Sequence, residues 1–131
     1  MMLGTMFGGA ADSAHWVMGF VIHLINGAIF ALIYAYIFEH FTHRAGWTVG
    51  AGIGFVHALI AGLFMAAMPI MHPLIKSGAM PSPGPFMANL GAMGIIAEFL
   101  LHLIYGAIVG AMYGAVVHPA HQPRLVERPA H

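Results

Sequence analysis

The amino-acid sequence predicts an all-α fold, an integral membrane bundle of three transmembrane helices. Three observations lead there. Of its 131 residues 60% are hydrophobic and 6% charged, with a mean hydropathy of +0.86, whereas roughly a quarter of an average soluble domain is charged. Three apolar stretches each reach the roughly 20 helical residues needed to cross a hydrocarbon core of about 30 Å. None of them alternates with the two-residue period of a barrel strand, so each must satisfy its backbone groups within a helix.

Residues 1–14, MMLGTMFGGAADSA, carry no basic leader region and are too short and glycine-rich to span. They read as an interfacial or mobile N-terminal arm and not as a signal peptide. A membrane domain follows over 15–118, with spans at about 16–38, 47–71 and 91–117. Trp16 and Trp47 stand at opposite ends of the bundle and suit the interfacial belts. Pro69 predicts a kink in the last turn of span two, and that helix should end before Pro73. The connection 73–90 is punctuated by Pro73, Pro81, Pro83 and Pro85 with Gly78 and Gly84, which predicts an ordered loop. Residues 119–131 form a polar C-terminal tail.

Cations near span ends stay on the cytoplasmic side. Arg44, Arg124 and Arg128 fall on one side of a three-span chain and Lys76 on the other. The expected topology is N-terminus outside and C-terminus in the cytoplasm, in a bacterial inner membrane, with the loop 73–90 outside. Asp12, Glu39, Glu98 and Glu127 balance the four cations, so no basic field exists to hold nucleic acid. The absence of cysteine removes disulfides, thiolate metal sites and cysteine nucleophiles. The chain carries no HExxH, P-loop or GxSxG motif, so the reading leans away from an enzyme.

Span one contains FVIHLINGAIFALIY and span three FLLHLIYGAIVGAMY, identical at eight of fifteen positions with a constant offset of 79 residues. Phe20, His23, Gly27 and Tyr34 recur as Phe99, His102, Gly106 and Tyr113. Because spans one and three run the same way, this predicts a parallel internal repeat, with His23 and His102 at similar depth. The string HLIYGAIVGAMYG, His102 to Gly114, resembles the H-x-x-Y-G-x-x-x-G-x-x-Y-G signature of small multi-pass bacterial membrane proteins, a resemblance that implies no particular activity. The chain is also loosely similar to the Ctr copper transporters in its three spans, its methionines in span two and its GxxxG in span three. It departs from them in its MxxMxxM spacing, its long second connection and its lack of a Cys-His tail.

Each span has one polar or small stripe at helical spacing. These are Trp16, Gly19, His23, Gly27, Phe30 and Tyr34 on span one; Gly50, Gly54, His57, Ala61, Phe64, Met68 and His72 on span two; and Glu98, His102, Tyr105 and Tyr113 on span three. With span midpoints near residues 28, 59 and 105, His23, His102, Glu98 and Met65 fall roughly 5 to 10 Å outside the midplane and His57 a few Å inside it. A carboxylate in hydrocarbon costs several kcal/mol, so Glu98 should be protonated, hydrogen-bonded to a histidine or bound to a metal.

His23, His57, Glu98, His102, Met65, Met68, Met71 and His72 are the candidate metal ligands, since imidazole and thioether suit copper and imidazole also suits zinc and iron. Met80 and Met87 would extend the methionine group. His23 and His102 are the candidate axial pair for haem b. A proton relay through the same groups is a further reading. Against these stand plainer roles, methionine filling core gaps and histidine hydrogen-bonding between helices. Glu39, His40, His43 and Arg44, with His118 and His121, read as headgroup contacts. Gly106, Gly110 and Gly114 are the candidate oligomer-packing residues. The leading expectation is an accessory or assembly subunit, partnered by lipid and by other membrane subunits or itself as a homo-oligomer. Copper-type metal transport and haem b electron transfer remain the alternatives.

Overall fold

The computed structural model describes residues 2–6 and 12–117, and these are helical with short connections and no strand. Helix α1 is Ser13–Ile37, α2 is Trp47–Met65, α3 and α4 are the short Met68–Met71 and Pro73–Lys76, and α5 is Ala92–Val117. Two 3-10 turns, Met2–Thr5 and Pro85–Leu90, lie against the bundle. Three helical segments are long and apolar enough to cross a membrane: Ser13–Thr42, Trp47–Met65 and Ala92–Val117. His118 and the expected tail 119–131, which holds His121, Arg124 and Arg128, lie outside the described residues, as do parts of the N-terminal arm.

Span one begins and ends beyond its expected limits. Asp12 caps its start, its carboxylate accepting the backbone N–H of His15 at 2.9 Å. That bond, with the His15 ring beside it, holds the Asp12 carboxyl below its ordinary range. At the other end the helix runs on through a π-helical turn, Phe38–Thr42, and stops where His43 takes a left-handed conformation at φ 49°.

Span two is shorter than 47–71. Pro69 has no N–H to offer the Met65 carbonyl, and its ring crowds that turn, so α2 stops at Met65 and the chain restarts as α3. The break falls four residues before the proline, where the lost bond would have closed. Pro73 then opens α4, a single turn inside the expected loop.

The bundle is built on an antiparallel pair, α2 against α5. Glycines spaced by four on each helix bring the backbones together: Gly46 meets Gly110, Gly50 meets Gly106, and Gly54 meets the carbonyl of His102. A Cβ on Gly50 would fall on the Gly106 carbonyl, and one on Gly110 would stand 2.9 Å from the Gly50 Cα. Gly114 lies against Ala45. The glycines assigned in sequence to oligomer packing are therefore engaged within the chain. At the far end of the pair, Phe86 lays its ring over Gly62 and stacks on Phe99 with centroids 5.8 Å apart. Phe86 and Met87 both hold positive φ, 52° and 58°, to make that approach.

Helix α1 joins this pair along part of its length. Tyr105 donates a hydrogen bond to the Gly27 carbonyl at 2.5 Å, Tyr34 and Tyr105 meet edge-on at 5.6 Å, and Tyr113 donates to Glu39 at 2.9 Å. Both residue numbers rise together along these contacts, so α1 and α5 run parallel. Near Asp12 the contact is made instead by Met2–Thr5, whose Gly4 packs on His15 and Gly19 of α1. Tyr105→Phe removes the bond to Gly27 without changing ring packing. It is expected to lower stability by about 1 kcal/mol in detergent unfolding, the usual size of an interhelical hydrogen bond.

Candidate functional site

Where the three long helices converge, they bury a polar cluster. Glu98, His102 and Tyr105 come from α5, His57 from α2, and Phe30 and Tyr34 from α1. The four-residue spacing puts Glu98 and His102 on the stripe that continues as Gly106 and Gly110, so the close α2 contact carries both against α2. The His102 Nδ1–H donates to the Glu98 carbonyl at 2.7 Å, which leaves Nε2 as the acceptor nitrogen. The His57 and His102 rings meet edge-to-face with centroids 4.6 Å apart. Phe30 covers His57 at 4.0 Å, and the Tyr34 hydroxyl lies 3.3 Å from His57 Nδ1. Tyr34 itself is 1% exposed.

The register of α2 against α5 brings His57 and His102 together. Gly54 packs on the His102 carbonyl, and His57, nearly one turn further along α2, lays its ring against that of His102.

Glu98 is 6% exposed, and its Oε1 is buried without a hydrogen-bond partner among the described residues. His102 Nδ1 stands 3.7 Å from that oxygen, beyond hydrogen-bonding distance, because its proton is committed to the Glu98 carbonyl. A buried acceptor left this way forfeits roughly 1 to 3 kcal/mol.

The other candidate ligands are dispersed. His23 is exposed and lines a groove with Met2, Leu3, Trp16, Gly19 and Phe20. No ring or hydrogen-bond contact among the described residues joins it to His57 or His102. Met68 is buried at 2% exposure and Met71 is 47% exposed, so the methionine stripe does not converge on one point. His72 is fully buried, its Nε2 2.8 Å from the Met2 carbonyl and 3.2 Å from Thr5 Oγ1, which ties the N-terminal turn to the α3–α4 junction. Among the described residues no group of three or more histidine, aspartate or glutamate side chains is arranged to hold a metal ion.

Sequence reasoning missed the pairing of Tyr105 with Gly27 and the covering role of Phe86. The first carried a faint signal, a tyrosine in HLIYGAI where the similar string HLINGAI has Asn26. The second carried none, since a left-handed phenylalanine in a proline-rich loop has no local signature. Comparison with protein-family models, curated proteins and solved structures finds no match to this chain.

Proposed function

We propose that the chain is a small multi-pass membrane subunit whose role is assembly with other membrane helices. One observation carries this reading. In the most apolar window of each span, 22% of residues are buried in α2 and 17% in α5, but only 6% in Ser13–Thr42. The first span is thus tied to its own chain by a few contacts and offers most of its surface to the surroundings. Its Asp12 end would face outward, with Arg44 on the cytoplasmic side and Lys76 opposite. The protein extracted from its own membrane in mild detergent should run as a complex larger than the 14.0 kDa monomer by native mass spectrometry. A lone chain there would refute the reading.

The unpartnered Glu98 oxygen near His102, whose ring meets that of His57, favours a second reading, binding of a transition metal such as copper by a rearrangement of these three side chains. Metal analysis of the wild type against a His57→Ala/His102→Ala variant tests it. Stoichiometric copper, zinc or iron lost in the variant supports the site, and a metal-free wild type rejects it.

A further inference from the structure

We propose that the outer-half face of α1 around His23 is a self-association surface, on which the α1 of a second copy packs in parallel so that the two His23 imidazoles meet. The inference rests on the assembly reading above and names the surface and the partner. His23 lies in the span Ser13–Thr42 at about 7 Å from its midpoint, taking about 1.5 Å per residue. That depth is within hydrocarbon, about half a bilayer core being 15 Å. Its side chain is exposed and has no hydrogen-bond partner among the described residues. Lipid tails offer it none, and headgroups lie at another depth.

The repeat sharpens the contrast. His102, in the matching position on α5, is half-buried against α2, with Nδ1 hydrogen-bonded and its ring on His57. The same short sequence is therefore covered in one copy and open in the other. At the open copy the Trp16 and Phe20 rings stack with centroids 6.0 Å apart and an interplanar angle of 9°, and with Gly19, Met2 and Leu3 they wall a groove of about 250 Å³ beside His23.

A second copy of this chain supplies the missing partner by symmetry. Subunits inserted the same way are related by an axis along the membrane normal, which sets identical residues at identical depth. Neutral imidazole is at once donor and acceptor, so two His23 side chains are self-complementary. The glycine faces of α2 and α5 are already engaged with each other, and α1 is the least buried of the three spans.

The absence of cysteine makes the test direct. Full-length chain in phosphatidylcholine/phosphatidylglycerol vesicles, carrying His23→Cys, should form a disulfide-linked dimer on mild oxidation at least about tenfold faster than Ile25→Cys, which faces nearly the opposite way. In a separate energy-transfer assay, His23→Leu should weaken wild-type self-association by about three- to twentyfold, the range for one interhelical hydrogen bond, and His23→Gln should restore most of it. Equal cross-linking at both positions, or unchanged association in His23→Leu, overturns the proposal. A chain monomeric in vesicles but held in a larger complex from its own membrane overturns self-association and leaves the assembly reading standing. A chain monomeric in both removes both.

Discussion

Gly50→Ala is expected to destabilise the protein by about 3 kcal/mol, the upper end for overpacking a tight core, while Gly52→Ala two residues away should stabilise it by up to about 1 kcal/mol. The two substitutions add the same methyl to the same helix. At Gly50 that methyl would fall on the Gly106 carbonyl, a backbone group that cannot rotate aside, so α2 and α5 must separate. At Gly52 it meets nothing within 4 Å, and only the helix-forming advantage of alanine remains. Separation also forfeits the dispersion contacts that hold membrane helices together where no hydrophobic drive acts between them. Denaturing-detergent titration followed by Trp16 and Trp47 fluorescence and far-ultraviolet circular dichroism reads both effects. A neutral Gly50→Ala would mean that the α2–α5 register is not the one described.

The second large effect is expected at Glu98, with the opposite sign from most core substitutions. Glu98→Met keeps the length of the side chain and removes an oxygen that is buried without a partner. Stability should rise by about 1 to 3 kcal/mol in the same titration. Glu98→Gln, which keeps a polar terminus, should recover little of that gain. A loss of stability in Glu98→Met would show that the carboxyl has a partner in the assembled protein. If instead stability rises while metal content or complex formation falls, the costly carboxyl is kept for that role.

Much of the fold was legible in the linear pattern. Twenty-residue apolar runs have one stable answer in a membrane, since every backbone N–H and C=O must be paired within the segment. The spacing of Gly46, Gly50, Gly54 and Ala58 on one span, and of Glu98, His102, Gly106 and Gly110 on another, shares one period and could have announced the α2–α5 pair. The glycines were visible as contact residues. Which helix they contact was not, because a small-residue stripe specifies close approach and carries no label for its partner.

Hydropathy and charge thus determined by themselves that there are three spans, about where they lie, and that polar groups at Glu98, His57 and His102 are set within them. The tertiary structure alone decided which of those groups meet. Pro69 ended span two early by breaking one helical bond, and the packing of Gly50 on Gly106 and of Gly54 on the His102 carbonyl placed the His57 ring on His102. His23 and His102 sit in similar local sequences yet differ in burial, because burial depends on which neighbour covers a face: the His102 ring lies on His57 of α2, and the His23 side chain is exposed. Local sequence sets which residues share a face; the pairing of faces is settled by packing across the whole chain.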